Sequence, residues 1–121
     1  MRPPVLEQAE ELFIPLFTDR QLRTAIIDGE PWFVAADACR CLGLDTTKGT
    51  HQTVRKLDAD EKCVVTKDQH PVLFTGSFAH TSTLISRPGL FKLIQRSNKP
   101  EAKEFDRWVR HEVLPQVMDK P

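Results

Sequence analysis

Four cations near the carboxyl end have the type and spacing to meet a polyanion: Lys99, Lys103, Arg107 and Arg110. Wound as an α-helix at about 100° per residue, they collect on one side of the segment from Ser97 to Pro115. Ala102, Phe105, Val109 and Val113 collect on a separate side, with Trp108 at its edge. Cations in such a row can bind successive phosphates, each contact releasing counterions. The competing reading is an ordinary solvated face, in which Asp106–Arg110 is an i,i+4 pair worth about 0.2–0.5 kcal/mol. Arg96 lies just upstream and extends the row.

A second basic group is Lys48, His51, Arg55 and Lys56, beside Thr46, Thr47, Gly49 and Thr50. Small hydroxyl residues next to cations are common phosphate partners, although a surface loop has the same composition. If a short helix here enters a groove, Gln52 and Arg55 are the residues that can reach base edges. Trp32 and Trp108 can stack on bases as in single-strand binders, but both sit in apolar runs, which favours burial.

Other chemistry finds little support. Cys39, Cys41 and Cys63 with His51, His70, His80 and His111 are enough ligands for zinc, but no Cys-x2-Cys or His-x3-His pair occurs. Buried thiols and surface imidazoles are expected instead, and no metal or cofactor is assigned. There is no Gly-rich phosphate loop, Gly-x-Ser-x-Gly elbow or His-Glu-x-x-His. His111 and Glu112 are adjacent and diverge on a helix, so a metal-dependent nuclease lacks partners. The chain is read as a non-enzyme.

The elements that must position these residues are legible in order. Leu12–Phe17 is apolar enough for a strand, which Pro15 restricts to an edge. Gln21–Ala36 is a β-hairpin turning at Asp28-Gly29. Asp37 is placed as the N-cap of a helix from Ala38 to Leu42 that Gly43 ends. A helix is expected over His51–Leu57, then an acidic turn over 58–61 and a strand over Lys62–Lys67. A loop or loose hairpin covers 68–80, and a last strand runs from Thr81 to Ser86. Pro88-Gly89 turns the chain into a helix over Leu90–Arg96. The basic helix follows, opened by an Asn98/Glu101 capping box with Pro100 in its first turn. Pro115 is expected to stop it, with Leu114 held out of the α region. Segregated strands and helices, without a βαβ rhythm, predict an α+β fold: a small hairpin-based antiparallel sheet, short helices and a C-terminal helical pair.

The totals bound the class. At 121 residues the chain has one domain's worth of core, with zero formal net charge. Neutrality argues against a uniformly basic nucleic-acid binder, but the charge is uneven. Residues 40–57 carry four bases against one acid, and 86–121 carry eight against five. No apolar run approaches a membrane span, and the amino end has no signal-peptide pattern. Three cysteines suit a reducing compartment, so a cytoplasmic location is expected, bacterial or in an infected host cell.

Three stretches together resemble a known family. They are Trp32-Phe-Val-Ala-Ala-Asp-Ala-Cys39 with Leu42-Gly43, Pro88-Gly-Leu-Phe-Lys-Leu-Ile-Gln-Arg-Ser97, and Ala102–Phe105 with Trp108-Val109 and Glu112-Val-Leu-Pro115. In this order they resemble the Bro-N domain, the amino-terminal domain of baculovirus BRO proteins and prophage antirepressor-type proteins. The likeness runs from about Leu22 to Val117. It implies a DNA-binding regulatory module of a phage, prophage or large virus, with duplex DNA the expected partner and a homodimer compatible with it. An antirepressor can instead act on a repressor protein, and Leu73, Phe74 and Phe78 are the apolar residues placed at such a contact. On this basis 1–11 is a lead-in, 12–117 the domain, and 118–121 a tail of what can be a longer protein. Relatives usually continue after the Leu-Pro with basic residues and a glycine; this chain reads Gln-Val-Met-Asp-Lys-Pro and stops.

Overall fold

The structure is a computed structural model that describes residues 11–47, 49–74 and 79–118. The lead-in up to residue 10, Lys48, Phe78 and the last three residues lie outside the described residues.

The main sheet is built from β1 (Glu11–Phe13), β4 (Thr24–Ile27), β5 (Glu30–Val34), β6 (Lys62–Thr66) and β7 (Thr81–Ser86). Its order is β1-β4-β5-β7-β6, antiparallel throughout. The β4–β5 hairpin turns at Asp28 and Gly29, both at positive φ (54° and 78°), as a two-residue primed turn requires. The expected strand over 12–17 is divided. Ile14 and Pro15 break it into edge strand β1 and β2 (Leu16–Phe17), which pairs with β3 (Arg20–Gln21) in a separate small hairpin.

Alternation along the strands makes two cores. Phe33 and Ile85 face the helices, in one cluster with Leu22, Leu90, Phe105 and Val109. Trp32, Val34, Leu84 and Val65 face the other way. That second face is covered by a 3-10 turn, Pro71–Phe74, within the segment expected to be a loop or loose hairpin. Leu73 and Phe74 are each only 2% exposed against it. These two residues are therefore core, and the contact surface placed on them from the sequence is not available.

Helix α1 spans Ala35–Cys41 and begins directly at the end of β5. Asp37 is inside its first turn and not its cap; Val34 holds the cap position. Gly43 ends the helix as expected, at φ 76°. Its N–H bonds to the Arg40 carbonyl while that of Leu44 bonds to Cys39, a Schellman arrangement. Helix α2 is a single turn, His51–Val54, shorter than predicted. The acidic turn forms a 3-10 turn, Ala59–Glu61, where the Glu61 carboxylate accepts from the Asp58 N–H at 2.8 Å.

Helix α3 covers Arg87–Arg96, three residues longer at its start than predicted. Ser86 caps it by accepting from the Gly89 N–H at 3.2 Å, so Pro88 and Gly89 are its first turn. Helix α4 covers Glu101–Trp108. The Asn98/Glu101 capping box does not form: Pro100 holds the cap position, and the Glu101 carboxylate instead lies over the Gly43 α-carbon. Pro115 does not stop the helix. A widened π-turn, Val109–Val113, carries it into α5 (Leu114–Met118), with Leu114 in the α region at φ −63° and ψ −43°. The Leu114 N–H reaches back five residues to the Val109 carbonyl. That widening opens the turn the Pro115 ring would otherwise clash with.

Candidate nucleic-acid interface

Helix α4 is pinned by its apolar stripe. Phe105, Val109 and Val113 are buried, and Phe105 packs between Phe17 and Trp108 at ring-centroid distances of 5.5 and 5.8 Å. Trp108 also meets Phe17 at 5.2 Å, which makes it a part-buried packing residue. Trp32 is buried. With the helix fixed this way, its remaining side is held outward.

On that side Lys103, Arg107 and Arg110 are exposed; Lys99, expected on the same helix, is exposed in the turn two residues before α4 begins. Arg110 is held by Asp106 at 3.2 Å, the i,i+4 pair foreseen from the sequence. Lys99, Lys103 and Arg107 make no ion pair among the described residues. Lys99 and Lys103 line a groove of about 360 Å³ between the end of α3 and the start of α4, with Gln95 and Asn98. Asp106 is its one acidic lining residue. Arg96 is exposed at the last turn of α3. By contrast Lys92, on the same helix, is committed to Glu61 at 2.7 Å and Asp58 at 3.5 Å. The hydrogen bond to Lys92 pulls the Glu61 carboxyl below its ordinary range.

The second basic group keeps Gln52, Arg55 and Lys56 exposed, while Val54 and Leu57 anchor the turn in the core. One helical turn is too short to lie along a groove as a recognition helix, so base reading by Gln52 and Arg55 has no extended scaffold here. Lys62 closes this turn, its ammonium donating to the carbonyls of Val54 and Arg55.

The cysteines and histidines do not converge. Cys39 and Cys41 are buried, and burial pushes both thiols up, Cys41 to about 12. His51, His80 and His111 are exposed on separate elements, whereas His70 is buried. Among the described residues no group of three His, Cys, Asp or Glu can hold a metal ion.

The sequence reading missed a buried charge network. The Asp37 carboxylate is fully buried and accepts four hydrogen bonds. Three come from Arg23, through its backbone N–H (2.9 Å), Nε (2.8 Å) and a terminal nitrogen (3.0 Å), and one from Arg40 (3.0 Å). The remaining terminal nitrogen of Arg23 donates to the Leu73 carbonyl at 2.7 Å, tying both faces of the sheet together. Hydrogen bonding to Asp37 raises the Arg23 pKa above its ordinary value. The signal was present as Arg23 within the apolar run Leu22–Ile27, a cation needing a buried partner.

Residues 21–115 match the Bro-N family model, described as the BRO family N-terminal domain. A protein of Haemophilus influenzae described as "Uncharacterized protein" is 39% identical over 103 residues, covering 84% of this chain and 47% of the relative. A "Putative Bro-N domain-containing protein 201R" of Invertebrate iridescent virus 6 is 27% identical over 111 residues, covering 82% of this chain and 26% of the relative. The chain thus spans less than half the length of these relatives. No solved structure matches.

Proposed function

The chain belongs to the Bro-N family, a phage and viral regulatory family, and from that premise we propose that it is a non-catalytic DNA-binding module gripping the phosphate backbone. Lys99, Lys103 and Arg107 make the main contacts, with Arg96 and Arg110 beside them and Arg55 and Lys56 as outlying ones. The observation that carries this reading is that Lys103 and Arg107 on α4, with Lys99 two residues before it, make no ion pair among the described residues, while the other side of the helix is locked in the core. Neutral overall charge suits a contact confined to one row, with modest affinity and strong salt dependence. Replacing Lys99 and Lys103 together by alanine should weaken binding to duplexes of unrelated sequence alike. In a fluorescence-anisotropy titration it should flatten the log K against log salt slope by about 1.8. An unchanged slope would remove α4 from the interface.

A second reading, contact with a repressor or other regulatory protein, is supported by a different surface from the one expected. Beside edge strand β6 lies an apolar groove of about 360 Å³, lined by Val54, Ala59 and Val64. Val64 is 63% exposed. A partner that survives nuclease treatment, and is lost on Val64→Lys, favours this reading over DNA.

A further inference from the structure

On the opposite side of β7 from β6 is a cleft of about 250 Å³ that the DNA reading does not use. It exists because β5 leaves the sheet early. The β5–β7 ladder ends at Val34–Leu84, whereas β6–β7 continues to Thr66–Thr81. Among the described residues Thr81–Thr83 therefore has a strand on one side only. The Lys67 N–H bonds to the His80 carbonyl at 2.9 Å, so His80 and, by alternation, Ser82 and Leu84 address β6. The main-chain groups of Thr81 and Thr83 then point the other way, toward the cleft.

Charge and donors in the cleft have one sign. Arg23 and Arg40 line it, and among the described residues no lining residue is acidic. Asp37, behind them, already accepts four hydrogen bonds, about all that a carboxylate can. Two guanidiniums against one saturated carboxylate leave one positive charge uncompensated. Arg23 gives three of its five side-chain N–H donors to Asp37 and the Leu73 carbonyl. Arg40 has spent a single terminal nitrogen, so the rest of its fork is free among the described residues, and its side chain is half exposed. Thr50, Thr81, Ser82 and Thr83, each carrying a hydroxyl, are also among the lining residues.

We infer that this cleft binds a single phosphate group, held by the free half of the Arg40 fork with threonine and serine hydroxyls and strand-edge N–H groups. A planar guanidinium fork beside hydroxyl donors matches the tetrahedral oxyanion. The volume falls below the range of sites that enclose drug-sized ligands, so the phosphate enters as a free ion, a small monoester or one link of a nucleic-acid backbone.

The test is an amide-resolved NMR titration of the intact chain with inorganic phosphate at constant ionic strength, chloride being the control. Saturable shifts at Arg40, Thr50 and Thr81–Thr83 are expected. Arg40→Gln should weaken binding by about tenfold, the equivalent of one charge-assisted hydrogen bond; it also removes one bond to the buried Asp37 carboxylate, so its melting temperature falls and the titration is run well below it. Thr50→Val should weaken it less. Repeating the titration with duplex DNA present separates the sources: competition assigns the phosphate to the backbone, and simultaneous binding assigns it to a free oxyanion. Lys99→Ala/Lys103→Ala should leave phosphate binding untouched, so failure of the α4 reading does not decide this one. Absence of saturable shifts at millimolar phosphate, or equal loss in the Arg40 and Lys99/Lys103 variants, overturns the inference.

Discussion

Replacing Asp37 by asparagine separates two physical roles that one residue can have at the start of a helix. As an N-cap, asparagine is about as good as aspartate, so the change would be nearly neutral. In the structure the carboxylate is fully buried with Arg23 and Arg40 around it, and asparagine removes the charge and turns one acceptor into a donor facing a guanidinium. Removing one partner of a buried pair typically costs about 3–5 kcal/mol. The Arg23 side chain is 17% exposed, so water softens its isolation and the lower end, about 3 kcal/mol, is expected. A domain of this size has roughly 6–18 kcal/mol in total, so the variant folds but is visibly weakened. Urea denaturation followed by Trp fluorescence should show the midpoint falling by roughly 1–3 M at unchanged slope. Adding Arg23→Met to Asp37→Leu should recover much of the loss, because it removes the buried pair and leaves only the half-exposed Arg40 charge, which water can solvate. An Asp37→Asn variant within about 0.5 kcal/mol of the parent would refute the ion-pair reasoning and restore the cap.

Gly89→Ala tests close packing under α3. Alanine gains about 1 kcal/mol of helix propensity, but its Cβ would lie 2.9 Å from the Glu61 main-chain carbonyl oxygen, which cannot swing aside. A net loss of about 1 kcal/mol or more in the same denaturation assay is expected, and a gain would contradict the packing. His70 is 3% exposed, and neither ring nitrogen has a hydrogen-bond partner among the described residues. Burial lowers its folded pKa below the ordinary value near 6.5, so the unfolded chain takes the proton first. Stability should be complete above that pH and decline as pH falls through it toward the folded pKa. His70→Leu should shrink the difference between denaturation midpoints at neutral and mildly acidic pH; an unchanged difference would exclude His70 as its source.

Local chemistry explains what was legible. Asp28-Gly29 specifies its turn by backbone freedom alone, Gly43 ends α1 for the same reason, and the periodic stripe of α4 declares its buried side. Features that depend on a distant residue were not legible. Asp37 was noticed as an acid in an apolar setting, but its partner Arg23 is 14 residues away across the hairpin. Leu73 and Phe74 have no periodicity to show which surface they cover, and only the sheet's bare second face makes them core. Among the candidate interface residues, exposure on α4 could be read from period. The shortness of α2 could not, since Val54 and Leu57 fit a longer helix equally well.

Pro115 is the instructive failure, because two sequence signals there conflict and the chain satisfies both. Phe105, Val109, Val113 and Val117 recur every four residues and all are buried. An ideal α-helix turns about 400° in four residues, so that spacing drifts about 40° per step and roughly 120° across the set. A straight helix would carry Val117 out of the core. The π-turn from Val109 to Val113 winds through fewer degrees per residue, takes up most of the drift, and returns Val113 and Val117 to the apolar side. The same widening gives the proline ring its room. A proline two residues past a four-residue apolar repeat is thus better read as a mark of helix widening than as a stop signal. In this chain that device keeps the rod pinned along its length, which is what leaves Lys103 and Arg107 facing outward.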